Sequence, residues 1–305
     1  MQLGFVGLGA MGQPIVSRLL AQGHSVVVCD VNEAAVRTLV AKGATSAATP
    51  MEVASASETV LVSLPTPDSV RAVALGDKGL IHGTRMKRYV DLSTSGAKTM
   101  TEVATALHAK GVSSIDAPVS GGVGAAASGT LAIMVAGDRA TFSALKDLLT
   151  TIGSRLTYVG EEVGHGQSLK LINNLLAATS LAAASEALVL GRRLGLGLDT
   201  MLEVINASSG RSFATEKIIP QTVPQRTFDF GFRTELMHKD VRLCLDEAEN
   251  LQVSMWLGNS VKQVWSHAMT QGGGKKDFSA ILHLFEAWNG VQLGKAANDD
   301  SGAAR

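Results

Sequence analysis

The stretch LGFVGLGAMGQPIVSRLL, from Leu3 to Leu20, places Gly7, Gly9 and Gly12 in G-x-G-x-x-G spacing between a short apolar run and a helical pattern. Each glycine in such a turn has a separate task. One makes the tight turn, one lets backbone approach a pyrophosphate, and one lets helix and strand pack closely. The helix start adds unpaired N–H groups and the positive end of its dipole. The turn Gly7, Leu8, Gly9, Ala10, Met11, Gly12 is therefore suited to a dinucleotide. Glycines that merely end a strand can show the same spacing. Here, however, a second apolar run, SVVVCD, ends in Asp30, where a carboxylate would meet the adenosine ribose. Asp30 repels a 2′-phosphate, and the following Val31 is no arginine to bind one, so NAD is expected over NADP. A strand-end aspartate also starts turns, here into Asn32, and the two uses are compatible.

Three more clusters carry candidate chemistry. In DAPVSGGVGAAASGTL, from Asp116 to Leu131, Ser120 sits beside Gly121 and Gly122, a hydroxyl next to unshielded backbone N–H groups that suits a carboxylate. The segment leaves one strand candidate and enters another, which puts the glycines at a sheet end, where ligands collect. In GHGQSLKLINNLL, from Gly164 to Leu176, Lys170 and Asn174 are four apart and share a helix face in apolar surroundings. Burial favours the neutral amine, the form that can take a proton. The plainer alternative is a lysine that snorkels to the surface, and Asn173 also lies close to that face. The run His238, Lys239, Asp240 falls within a helical pattern and, taken alone, reads as a solvated charged face.

The elements around these clusters form two blocks. Residues 1–162 alternate helical patterns with the strand candidates LGFV, SVVVCD, ETVLVSL, RYVDLS, SSIDAP, TLAIMVAG and RLTYVG. That alternation implies a doubly wound, mostly parallel sheet covered on both faces. Residues 163–291 read as helical throughout, and residues 292–305 as a frayed, disordered tail. The first helix of the second block is apolar nearly all round, so burial on several sides is expected, including by a partner subunit. Lys170, Asn173, Asn174 and Glu186 interrupt it, against a membrane span.

At 305 residues the chain has room for two domains. Lysine plus arginine equal aspartate plus glutamate at 27 each, which leaves no electrostatic footprint for nucleic acid or an anionic membrane. The two cysteines, Cys29 and Cys244, make neither a disulfide framework nor a metal site. With the fold starting in the first few residues there is no room for a cleaved signal, and a cytoplasmic protein is expected.

Together, GFVGLGAMGQP, DLSTS, DAPVSGGxxGAxxGTL, GxGxxxKxxNN and HKDxxL, in this order from Gln2 to about Val291, resemble the β-hydroxyacid dehydrogenase family. That resemblance implies an N-terminal Rossmann domain and an all-helical substrate and dimerisation domain, with a homodimer or homotetramer as the particle. It implies hydride transfer between NAD and a small 3-hydroxyacid, as in 3-hydroxyisobutyrate dehydrogenases. Lys170 would be catalytic, with Asn174 its orienting partner, and Ser120, Gly121 and Gly122 would form the substrate-carboxylate loop. Thr94 would lie beside the nicotinamide, Leu64 and Pro65 along the cofactor path, and Lys239 would make a closing contact. Two alternatives are a non-catalytic dinucleotide-binding module and an imine reductase; relatives of both kinds lose the lysine that is present here.

Overall fold

The computed structural model describes residues 1–294; the expected tail at 295–305 lies outside the described residues. The chain divides into two compact units, Met1–Leu171 and Ile172–Arg305. The division falls nine residues past the expected boundary at 162, inside a long helix.

The first unit holds strands β1 (Gln2–Val6), β2 (Ser25–Cys29), β3 (Thr45–Ser46), β4 (Thr59–Val62), β5 (Arg88–Asp91), β6 (Ser113–Asp116), β7 (Val119–Ser120), β8 (Ala132–Gly137) and β9 (Arg155–Gly160). Their helices are α1 (Gly12–Ala21), α2 (Glu33–Val40), α3 (Pro50–Ala56), α4 (Pro67–Leu75), α5 (Ala97–His108), α6 (Gly122–Ser128) and α7 (Arg139–Ile152). The sheet order is β3-β2-β1-β4-β5-β6-β8-β7, with β9 paired to β8. Pairing is parallel from β3 through β6 and again between β8 and β9, while β8 is antiparallel to β6 and β7.

Strand periodicity decides which side chains face which layer. Leu3, Phe5, Val26, Val28, Leu61 and Val90 meet α1, α2 and α7 in one core. Their neighbours Val6, Val27, Cys29, Val60, Val62 and Tyr89 meet α3, α4 and α5 in the other. A sheet buried on both faces explains why these strands read as continuous apolar runs. The seven expected runs all form strands; β3 and β7 were not expected. At two residues each, neither carries a readable alternation.

Helix α8 (His165–Arg193) starts in the first unit and ends in the second. Leu171, Leu175, Ala178, Leu181 and Leu188 along it are buried, but Ile172, Leu176 and Leu190 are more than half exposed. The expected burial on several sides is thus only partial within one chain. Its length and hydropathy would allow a membrane span, yet 56% of its most apolar window is buried inside the protein.

The second unit continues with α9 (Leu198–Asn206), α10 (Ile219–Thr222), α11 (Thr234–Asn250), α12 (Trp256–Thr270) and α13 (Leu282–Asn289). Trp265 of α12 is fully buried and stacks on Phe278, whose ring also meets Phe230 and Phe232. Near the end of this unit Arg226 grips Glu286 through two bonds of 2.8 and 2.9 Å and donates to the Leu293 carbonyl. The Leu293 amide returns a bond to Glu286 Oε1, and His283 Nδ1 lies 3.0 Å from Oε2. Leu293 is only 1% exposed. The expected frayed tail, from 292, thus includes a residue that this clasp holds, Leu293.

Candidate active site

β1, β4, β5 and β6 are parallel neighbours, so the segments after their last residues line one edge of the sheet. Those segments are Gly7 to Gly12, Leu64 and Pro65, Ser93 to Gly96, and Ala117 to Gly122. Strand order reverses direction between β1 and β4, the place where α/β sheets bind ligands.

The glycine turn divides its work in a way the structure makes plain. A Cβ on Gly7 would collide with the Ser63 carbonyl, and one on Gly12 with the Gly7 carbonyl. Gly7 also holds φ at +99°. These two glycines serve the fold. A Cβ on Gly9 would meet nothing within 4 Å, so this glycine keeps open space beside a helix start that has no side-chain cap. Such an open, uncapped turn fits a diphosphate. Leu8 is buried, while Ala10 is exposed and Met11 half-buried.

Asp30 does two things at once. Its Oδ2 accepts from the Leu8 amide at 2.5 Å and its Oδ1 from the Asn32 amide at 2.7 Å. Each oxygen keeps a further lone pair for a ribose hydroxyl. Asn32 in turn caps α2 through Ala34 and Ala35, so the turn-forming use of Asp30 is real as well. Val31 is fully exposed.

A buried polar network joins the next three segments. Leu64 N donates to Ser93 Oγ at 2.9 Å, tying the segment after β4 to the segment after β5. Asp91, last in β5, accepts from Ser93 N at 2.8 Å and from Ser95 Oγ at 3.2 Å. In register beside it lies Asp116, last in β6. Asp116 is fully buried and accepts from Gly164 N and Gln167 N, both at 2.8 Å, which anchors the start of α8. Burial lifts its carboxyl to about 6, with the Asp91 charge adding to the rise and the two amide donors opposing it. Half-buried Thr94 stands between buried Ser93 and Ser95.

Ser120 lies on β7, paired with Ala132 of β8, and is half-buried. Gly121 and Gly122 are exposed, with φ of +134° and +74°. The expected glycine loop is therefore more ordered than a loop, since a two-residue strand and the short α6 occupy it.

Lys170 is 7% exposed and Asn174 6%. Lys170 therefore does not snorkel. Asn173 is exposed. Asn174 Nδ2 donates to Asp240 Oδ2 at 2.6 Å, and its Oδ1 accepts from Asn173 Nδ2 at 3.1 Å. Lys239 Nζ lies 2.9 Å from Asp240 Oδ1. Asp240 is 1% exposed, which overturns the solvated-face reading of the His238, Lys239, Asp240 run. His238 too is engaged, with Nε2 3.1 Å from Ser266 Oγ.

The dinucleotide turn, Leu64, Pro65, Thr94, Ser120 to Gly122 and Lys170 all belong to the first unit, and Asn174 and Lys239 to the second. Sequence reasoning missed Asp116, Gln167 and Asp240 as site-supporting residues. Gln167 had a readable signal: a polar side chain three residues before Lys170, on the same face of an apolar helix.

A G-x-G-x-x-G turn with Asp30 at the end of β2, in a sheet of this order, defines a nicotinamide dinucleotide-binding protein of Rossmann type. Residues 2–160 match the family described as "NAD binding domain of 6-phosphogluconate dehydrogenase". Residues 164–285 match "NAD-binding of NADP-dependent 3-hydroxyisobutyrate dehydrogenase". The chain is 36% identical over 293 residues to 2-(hydroxymethyl)glutarate dehydrogenase of Eubacterium barkeri, covering 96% of this chain and 97% of that one. It is also 36% identical over 281 residues to 3-sulfolactaldehyde reductase of Escherichia coli, covering 92% and 94%. The solved Mycobacterium tuberculosis 3-hydroxyisobutyrate dehydrogenase with L-serine superposes with a TM-score of 0.85 at 30% identity, covering 93% and 98%. The chain belongs to the β-hydroxyacid dehydrogenase family and is an oxidoreductase that uses a nicotinamide dinucleotide.

Proposed function

We propose that the protein is an NAD-dependent 3-hydroxyacid dehydrogenase with Lys170 as its general acid and base. The observation that carries this reading is a lysine buried to 7% exposure one turn into a helix anchored at the ligand-binding edge of the sheet. The cofactor, when bound, supplies the hydride acceptor for the carbinol hydrogen. Lys170 Nζ takes the hydroxyl proton during oxidation, leaving the carbonyl, and returns it during reduction. Asn174, fixed by Asp240, orients the lysine, and Lys239 makes a closing contact.

Ser120 with the Gly121 and Gly122 amides holds the substrate carboxylate, which selects the carbon presented for transfer. Thr94 lies beside the nicotinamide, with Leu64 and Pro65 along the path from the adenosine end. NAD is preferred because Asp30 disfavours a 2′-phosphate and exposed Val31 supplies no cation to bind one. The apolar residues exposed along α8, Ile172, Leu176 and Leu190, support a homo-oligomer.

The test is Lys170→Ala. An NAD-linked absorbance screen across 3-hydroxyisobutyrate, glycerate, threonate, serine, 4-hydroxybutyrate and 2-(hydroxymethyl)glutarate first selects the substrate. The variant should lose about 10²- to 10⁴-fold in kcat, the usual worth of general acid–base catalysis, while NAD affinity stays the same. Retention of more than about a tenth of native kcat would make Lys170 structural, since that loss falls short of the general acid–base range.

A further inference from the structure

Gln167 has no exposed surface, and its side chain is spent entirely on backbone. Its Oε1 accepts from Ser95 N at 2.9 Å and Gly96 N at 3.3 Å, and its Nε2 donates to Ser93 O at 2.9 Å. Its own amide is held by Asp116. The partners are more than 70 residues away in sequence, so these bonds connect two segments that no local preference would join. The surroundings leave no slack. A Cβ on Gly166 would meet Met134 O at 2.5 Å and Asp116 Oδ2 at 2.6 Å, and one on Gly164, at φ +101°, would press on Ala97. One turn further along the helix is Lys170, and within the strapped segment is Thr94.

We propose that Gln167 is a positioning residue for the reaction: its carboxamide straps the 93–96 segment to the first turn of α8, holding Thr94 and Lys170 in one fixed relation. The proposal rests on the roles given above to those two residues. The nicotinamide side and the proton-transfer side of the site approach the substrate from different elements. A single side chain that bonds both sets their relative placement, and displacement by about 1 Å in such a site costs about a hundredfold in rate. The amide matches this task because it accepts and donates at once. A hydrocarbon of the same length does neither, and leaves two N–H groups and one carbonyl unpaired in the interior.

The experiment compares Gln167→Met and Gln167→Glu with the native protein, using 3-hydroxyisobutyrate and NAD, with rates expressed per cofactor site counted by NAD titration. Counting sites removes any loss due to unfolded molecules. Gln167→Met should lose tenfold to about a hundredfold in kcat, with KM and NAD affinity changed by less than threefold. Gln167→Glu keeps the acceptor and the volume, so it serves if the methionine variant does not fold. Ionised, its second oxygen faces the Ser93 carbonyl; protonated, it can donate there as the amide does. Its rate relative to the native enzyme should therefore climb as pH falls, with Asp116, which holds the residue's own amide, as the neighbouring carboxyl to which the new acid couples.

A kcat per site within twofold of native for Gln167→Met, or a flat rate ratio for Gln167→Glu, overturns the proposal. Lys170→Ala run alongside separates the two levels of inference. If it stays active, the assignment of the lysine fails and takes this one with it. If it is inactive while Gln167→Met is native-like, only the strap is wrong.

Discussion

Replacing Glu286 by Gln tests how the end of the second unit is held. Burial by itself would raise this carboxyl, but bonds from His283, Arg226 and the Leu293 amide outweigh it and bring it from an ordinary 4.5 to about 2. A difference of that size corresponds to about 3 kcal/mol of stability at neutral pH. Because the folded value lies below the unfolded one, this stability is complete above pH 4.5 and is lost as pH falls through 2. At pH 3 about 1.5 kcal/mol of it remains. Glutamine keeps the shape and an acceptor for Leu293 N, removes the charge facing Arg226, and puts an amide donor where Oε2 accepted from Arg226 Nη2.

The assay is urea unfolding followed by tryptophan emission. All three tryptophans, Trp256, Trp265 and Trp288, lie in the second unit, so the signal reports that unit. With a urea dependence of about 1 to 3 kcal/mol per molar, the variant's midpoint at pH 7 should drop by about 1 to 3 M. The gap between native and variant should then roughly halve by pH 3. A difference below about 1 kcal/mol at pH 7, or one independent of pH, would contradict the linkage that gives the clasp its strength.

Three other outcomes follow from the site. Gly9→Ala should melt as the native protein does yet bind NAD at least tenfold more weakly by titration calorimetry, because its Cβ meets no protein atom and occupies the diphosphate space. Gly12→Ala should instead lower the melting temperature, since its Cβ collides with the Gly7 carbonyl; the reverse pattern would refute the division of labour. Ser120→Ala should reduce kcat/KM about tenfold to a hundredfold through a lost bond to a charged carboxylate, with NAD affinity intact. If steady-state kinetics are unaffected and cofactor binding falls, the serine faces the other ligand.

What the sequence made legible was whatever repeats or turns locally. The apolar runs of β1, β2, β4, β5 and β6 announced themselves because both faces of the sheet are covered, and the glycine spacing announced the turn between β1 and α1. Lys170 was legible as a polar intrusion in an apolar helix. Asp240 was not. Its neighbours His238 and Lys239 give it the look of a solvated patch, and the bond that explains its burial comes from Asn174, 66 residues earlier. Asp116 and Gln167 failed to stand out for the same reason, since side-chain bonds to distant backbone leave no period in the chain. Leu293 looked like tail because the residues that hold it, Arg226 and Glu286, act from a turn and a helix rather than from its own segment.

The two backbone bonds accepted by Asp30 bear on how such a protein could change its cofactor over evolutionary time. With the ribose-binding role proposed here, the same carboxylate that refuses a phosphate also joins the glycine turn to the end of β2 and shapes the entry to α2. Trading it for a neutral or basic residue therefore loosens the very turn that the new cofactor must occupy. Such a lineage would need a compensating acceptor for the Leu8 amide first, or would pass through descendants that bind neither dinucleotide well. On the NAD preference proposed here, cofactor choice is thus tied to the scaffold, and a switch is a path of several ordered steps.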